Sequence, residues 1–234
     1  MKNKKILALI VFVCAFFQVY GNEQKNEAMK AFNLGRKLLM SEDIKEKKAG
    51  IDFLHKVGTN WPDLSLSIGL LFVKEKQYTH AVNVLEMAFE RGNSMARYEL
   101  AKLYSDKEIP YYDVRKAFLY FKRIAHHYNF AAFQVGESYL NGIGVDIDRK
   151  KAYNYFVMAT RNYKEELPCE VAFLRLSECY LNGWGTDKNI FNAYVYCLLA
   201  KKNGMSAGTL IDYDAILEKI YTQMDAEGKA LLRR

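Results

Sequence analysis

A chain of 234 residues, half of them hydrophobic and only three of them proline, can build one domain with a sizeable core or a solenoid of about six to seven units of roughly 34–36 residues. Tyr and Phe number 17 and 14 against two Trp, a balance that suits a helical array wedged by rings. The formal charge of +7 is inflated by Lys2, Lys4 and Lys5; without them 31 basic residues face 27 acidic ones, a net +4 that excludes a strongly basic nucleic-acid binder.

The first element in chain order is a targeting segment. Lys2, Lys4 and Lys5 form a positive start, Ile6 to Phe17 an apolar run of twelve, and Val19 with Gly21 the small-residue pair of a cleavage site. Twelve apolar residues are too few to span about 30 Å of hydrocarbon, which takes roughly twenty. Residues 1–21 therefore read as a signal peptide cleaved between Gly21 and Asn22, leaving no stable membrane span and a periplasmic or secreted protein. Cys14 would leave with it. Cys169, Cys179 and Cys197 remain: an odd set in an oxidising compartment, with at most one bridge among them.

From residue 28 onward one pattern recurs in five registers. An apolar residue (Leu34, Ile68, Leu100, Val135, Leu176) is followed by a small one (Gly35, Gly69, Ala101, Gly136, Ser177). Three residues on comes a ring or Leu (Leu38, Phe72, Tyr104, Tyr139, Tyr180). After a break each unit has an alanine (Ala49, Ala81, Ala117, Ala152, Ala193) and, four residues later, Phe53, Leu85, Phe121, Phe156 or Cys197; Ala88, Ala159 and Ala200 extend that stripe. Offsets of four and seven fall on one face of a helix. Each unit thus reads as two antiparallel helices, here A and B, with small residues where they touch. One such hairpin cannot bury its face, so the units must stack.

The distance from the apolar column to the alanine is 13 residues in the second unit (Ile68 to Ala81) and 17 in the last three, as from Val135 to Ala152. The extra four residues lengthen the loop between the helices. In two units that loop is glycine-rich: Tyr139-Leu140-Asn141-Gly142-Ile143-Gly144 and Tyr180-Leu181-Asn182-Gly183-Trp184-Gly185.

These units resemble the Sel1-like repeat, the longer relative of the tetratricopeptide repeat. Residues 94–127, 130–162 and 171–204 look most Sel1-like, although the first of them has Ser105 to Pro110 in place of the glycine loop. Residues 63–92 look tetratricopeptide-like. Residues 28–58 form a degenerate first unit, with Lys56 where later units place a small or apolar residue. The resemblance implies an all-α fold, an α-solenoid of stacked antiparallel hairpins over residues 22–210. In it Gly69, Ala81, Ala117, Gly136, Tyr139, Gly142, Gly144, Ala152, Tyr180, Gly183, Gly185 and Ala193 are structural. The long interval 160–171 calls for a longer helix or a bulge. Residues 211–234 then read as a capping helix from Tyr213 to Leu232, with Ile216, Leu217, Ile220 and Met224 on its apolar face.

Little in the chain points to chemistry. Gly142-Ile143-Gly144 and Gly183-Trp184-Gly185 lack the preceding strand and third glycine of a dinucleotide loop, so they read as turns. His55, His80, His126 and His127 have no acidic or Cys companion at metal-ligand spacing, so no metal or cofactor is expected. Cys179 and Cys197 can pack as small hydrophobes or bridge within their hairpin; both options stay open. No Ser, Thr or Cys comes with a base and an orienting group, so the chain reads as a non-enzyme.

In such solenoids the helix-A face lines the concave side. Two residues before the apolar column run Phe32, Leu66, Tyr98, Phe133 and Leu174; two after it run Arg36, Leu70, Lys102, Glu137 and Glu178. The charged row has no evident packing reason to change from basic to acidic. Tyr98, Lys102, Phe133, Glu137, Leu174 and Glu178 are therefore the candidate partner site, with the glycine-loop edge around Trp184 as its alternative. The expected ligand is another protein or a peptide segment; the oligomeric state is open. The resemblance implies a periplasmic adaptor or scaffold. An immunity protein that neutralises a toxic effector, or an effector released toward a host cell, would begin with the same leader.

Overall fold

The computed structural model describes residues 23–161, 170–204 and 211–232; the signal peptide expected at 1–21, Cys169 and most of the 160–171 interval lie outside them. The described residues form helices and no strand. The chain divides into two compact units, one ending at Glu99 and one starting at Leu100.

The first unit holds α1 (23–39), α2 (Ile44–Asn60), a 3-10 turn (Pro62–Leu64), α3 (Ser65–Lys74), α4 (Tyr78–Glu90) and the start of α5 (Ser94–Ser105). Asp43 starts α2 by accepting hydrogen bonds from the Lys45 and Glu46 amides. The second repeat packs as its sequence predicts. Gly69 lies where a Cβ would meet the Leu85 side chain, and Ile68, Phe72, Ala81 and Leu85 are fully buried.

The first repeat corrects its predicted register. Ala49 is exposed and Phe53 half-buried, whereas Gly50, Leu54 and Val57 are buried; a Cβ on Gly50 would strike the backbone of Leu38 and Leu39. The contact residue is Gly50. The stripe of α2 is shifted by one position, which moves Lys56 off the apolar face and puts Val57 on it. On α1, Leu34 is 51% exposed and Leu39 is fully buried. In the second repeat the same column, Ile68, approaches Gly58 of α2, whereas α1 is the first described element.

The second unit continues with α6 (Val114–Ile124), α7 (Asn129–Asn141), α8 (Arg149–Arg161), α9 (Glu170–Asn182), α10 (Ile190–Gly204), α11 (Tyr213–Thr222) and α12 (Ala226–Leu231). From α6 to α11 each helix packs on the next. Partners are matched by volume: the gap at Gly136 takes the Phe156 ring, while Ser177, which donates to the Ala193 carbonyl at 2.7 Å, faces the helix carrying the smaller Cys197. The C-terminal segment is two helices rather than one. Asp225 accepts from the Gly228 amide at 2.7 Å and so starts α12 afresh, while Tyr213, Leu217 and Ile220 of α11 close the core over Ala193, Cys197 and Ala200.

A single backbone bond closes the hairpin in all four later repeats. The residue that begins helix B donates its N–H to the carbonyl of the ring that ends the helix-A stripe: Gln77 to Phe72 (2.8 Å), Asp113 to Tyr104 (2.8 Å), Asp148 to Tyr139 (2.9 Å) and Asn189 to Tyr180 (2.9 Å). The closure spans five residues in the second repeat and nine in the others. That difference is the four-residue insertion seen in the sequence, and it lies wholly inside the closed loop.

The glycine loops seat against the hairpin before them. Gly144 and Gly185 both have φ of +72°, and a Cβ on them would run into the carbonyl oxygens of Val114 and Arg149 at the starts of α6 and α8. Left-handed backbone and backbone-on-backbone contact together leave room only for glycine.

Candidate functional site

The apolar row of the helix-A face is half-buried. Phe32, Leu66 and Tyr98 in the first unit and Phe133 and Leu174 in the second are neither core nor open surface. Phe133 lies with its ring centroid 6.0 Å from that of Phe156, and Leu174 packs on the C-terminal core. Both therefore already do packing work.

The charged row has a packing reason after all, which corrects the expectation that it had none. Arg175, from α9, sits between Glu137 of α7 and Glu178 of its own helix. Its Nε and Nη2 donate to the two Glu137 carboxylate oxygens at 2.7 and 3.1 Å, and its Nη1 donates to Glu178 Oε2 at 2.7 Å. Arg175 is held cationic even more firmly than an ordinary arginine, first by the Glu137 bond, with burial opposing. The acidic end of the row is a clasp joining two successive A helices. Lys102 is exposed on α5.

Beside this clasp a cleft of about 510 Å³ opens where two glycine-loop repeats meet. Arg175, Glu178 and Asn182 of α9 form one wall, Leu140 and Asn141 of α7 another, and Arg149 and Trp184 the loop edge. Of the sequence candidates, Glu178 lines the cleft and Glu137 is tied to it through Arg175; Phe133 and Leu174 are not on its walls. The cleft thus joins the end of the helix-A face to the Trp184 edge, the two alternatives that the sequence left apart.

The cleft's groups differ in how far they are satisfied. Asn141 and Asn182 occupy the same place in successive repeats, and each donates one amide N–H to the carbonyl four residues back (Glu137 at 3.1 Å, Glu178 at 2.9 Å). Their amide oxygens accept nothing from the described residues. Arg149 lies over the Trp184 ring, 5.8 Å from its centroid, and makes no ion pair with a described residue. Arg175, Asn141, Arg149 and Asn182 were not singled out from the sequence. The available signals were Arg175 three residues before Glu178, and Arg149 standing where other repeats have Val114 and Ile190.

The remaining titratable clusters serve the core. Cys179 and Cys197 are fully buried free thiols, so they do not bridge. Burial pushes Cys179 up to about 12 and Cys197 to about 11, far from reactive thiolates. In the first unit His55 Nε2 and His80 Nδ1 share a hydrogen bond at 2.9 Å, and both rings pack on buried Phe72. His126 and His127 are exposed on the segment after α6. Among the described residues no helix is long and apolar enough to cross a membrane.

The sequence matches the Sel1 repeat three times, at residues 94–128, 129–162 and 172–205. Solved structures share the fold, two of them as follows. One is a Sel1 repeat protein from Oxalobacter formigenes, 22% identical, with a TM-score of 0.59 over 81% of this chain and 55% of that one. The other is a protective antigen present in uropathogenic Escherichia coli strains that displays an SLR fold, 19% identical, with a TM-score of 0.63 over 89% of this chain and 44% of that one. The chain spans about half the length of these structures. No curated protein matches it.

Proposed function

We propose that this Sel1 repeat protein works by holding a segment of another protein, with the cleft between α7 and α9 as its anchor point. Sel1 repeats are in general non-catalytic scaffolds that mediate protein interactions, and the cleft is the observation that supports such a role at a definite place. It combines an aromatic ring, a cation and two side-chain amide oxygens without partners among the described residues, on helices joined by the Arg175 clasp. Rigid walls with adaptable polar groups suit an extended peptide, whose backbone needs donors and acceptors at regular intervals. The charged-then-apolar sequence of residues 1–21, read as a leader, supports a setting in the periplasm or outside the cell, where the protein would act as an adaptor or scaffold. Sequencing of the mature N-terminus should then begin near Asn22; an intact Met1 on the functional protein refutes the export half of the proposal.

The binding half is tested by site-specific photo-crosslinking in the native host. A benzoylphenylalanine at position 182 should capture a discrete partner, and Trp184→Ala should abolish that capture. The same probe at the exposed Leu119 of α6 is the control. Equal capture from both positions, or capture indifferent to Trp184→Ala, counts against the cleft.

A further inference from the structure

Resting on the reading of the cleft as a partner site, we infer that it selects an acidic segment: an Asp or Glu side chain of the partner is received by the Arg149 guanidinium above the Trp184 ring. The first support is charge. Of the three charged residues on the cleft walls, Arg175 and Glu178 are already paired, and Arg175 has Glu137 as well. Arg149 alone has no carboxylate among the described residues; Arg175 is shared by two, so walls and clasp together are neutral and Arg149 is the wall cation still open to an acidic group. A guanidinium offers five donors in a planar fork that matches a carboxylate in two parallel bonds.

The second support comes from comparing the chain with itself. Residues that recur in every repeat are explained by stacking: the small column, the ring column and the residue that caps helix B. Arg149 and Trp184 do not recur. The position of Arg149 after the cap is Val114 and Ile190 in the flanking repeats; that of Trp184 is Ile143 in the preceding glycine loop. An aliphatic residue satisfies the stack there, so stacking does not call for a cation against an indole. The indole stands within cation–π range of the guanidinium, 5.8 Å from the ring centroid, and offers an apolar surface to a neighbouring side chain.

The third support is local potential. The first turn of α8 carries Arg149, Lys150 and Lys151 and no acidic residue, adding to the positive end of a 13-residue helix. Lys151 is drawn to Asp148 at 2.8 Å, and of the three basic residues in this turn Arg149 is the one that lines the cleft. The free amide oxygens of Asn141 and Asn182 can then accept N–H groups of the same peptide.

The probe is a random dodecapeptide library displayed at an internal site, panned on the full protein. Recovered sequences should be enriched in Asp or Glu beside an apolar residue. Their synthetic forms, acetylated and C-terminally amidated so that only side chains supply carboxylates, should bind in titration calorimetry and, in the unsubstituted protein, change the Trp184 fluorescence. Replacing the acidic residue by its amide should weaken binding about 10-fold or more, Arg149→Ala should do the same, and the two losses should not add. Arg149→Lys should restore binding only in part, because an ammonium cannot make the paired contact. A library without acidic enrichment overturns the inference, as does a peptide that tolerates Arg149→Ala. If such a peptide is still lost on Trp184→Ala, the cleft stands as the partner site and only its acidic preference falls. If neither substitution matters, the cleft itself is the wrong place.

Discussion

Replacing Arg175 by methionine removes a guanidinium but keeps much of its aliphatic bulk, and so asks what the clasp between α7 and α9 contributes. Three hydrogen bonds are lost, two of them the paired contact to Glu137, whose side chain is 17% exposed, while Arg175 and Glu178 are 32% and 34% exposed. Fully exposed pairs are worth about 0.2–1 kcal/mol, and breaking a fully buried one costs about 3–5 kcal/mol. These exposures lie between the limits, with Glu137 nearer the buried one. The Arg175–Glu137 coupling should therefore be about 1–2 kcal/mol, read as the non-additive part of a double-mutant cycle of Arg175→Met and Glu137→Gln in urea melts. Glu178 is the more open partner, so its coupling should be about 0.5 kcal/mol and should shrink further in 1 M salt. A Glu137 coupling below about 0.3 kcal/mol would refute the clasp and return that carboxylate to the partner-facing row. The outcome bears on function, because charge reversal at Glu137 would otherwise weaken partner binding through stability alone.

Other expectations are open to the same melts. Gly144→Ala and Gly185→Ala should each cost about 2–4 kcal/mol, combining left-handed strain with a backbone collision, whereas Gly92→Ala, at φ +89° with nothing near, should cost only about 1 kcal/mol; equal losses would mean that the loops are not seated on α6 and α8. Gly50→Leu should destabilise by more than Ala49→Leu, and the reverse order would restore the original register of α2. His55 is held below its ordinary 6.5, first by burial and next by His80, while Asp52 opposes. The unfolded chain then takes up this proton first, so the contribution is present above about pH 6.5 and is lost as pH falls below it. His55→Phe should flatten the fall in melting temperature between pH 7.5 and 5; an unchanged slope rules out this histidine. In a Cys169→Ala background the free thiols of Cys179 and Cys197 should react with a thiol reagent only after denaturation, and rapid labelling of either in the native protein would contradict their burial.

Most of the fold was readable because stacking imposes a residue type at each recurring position. Where two stripes overlap, that logic becomes ambiguous. The segment Ala49 to Val57 supports both Ala49/Phe53/Lys56 and Gly50/Leu54/Val57, which differ by one position, or about 100° on a helix. Only the second remains apolar through its third member, so Lys56 was the clue to the true register. Arg175 was hidden for another reason. Rows were compared at equivalent places within each helix, but the clasp joins a residue before the column in one repeat to a residue after it in the preceding one. The hairpin closure was hidden most deeply, since it is a bond between main-chain groups and requires no particular side chain at either end.

That backbone closure explains how one scaffold carries both spacings and where a binding site can arise on it. The start of helix B is fixed by the carbonyl of the column ring, whether it lies five or nine positions further on. The insertion therefore leaves the hairpin's core contacts unchanged and spends its length on the loop. Within the loop, Gly144 and Gly185 are constrained by the preceding hairpin, whereas Ile143 and Trp184, one residue earlier, are not held to one type. Variation at that point changes the surface between repeats without disturbing the stack. A ring placed there stands beside the first turn of the preceding helix B, where Arg149 follows its cap, and beside the exposed end of its own helix A, where Asn182 lies. One loop residue can thus bring together groups from two repeats, which is why a cleft of mixed chemistry occurs at Trp184 although each repeat alone shows only packing residues.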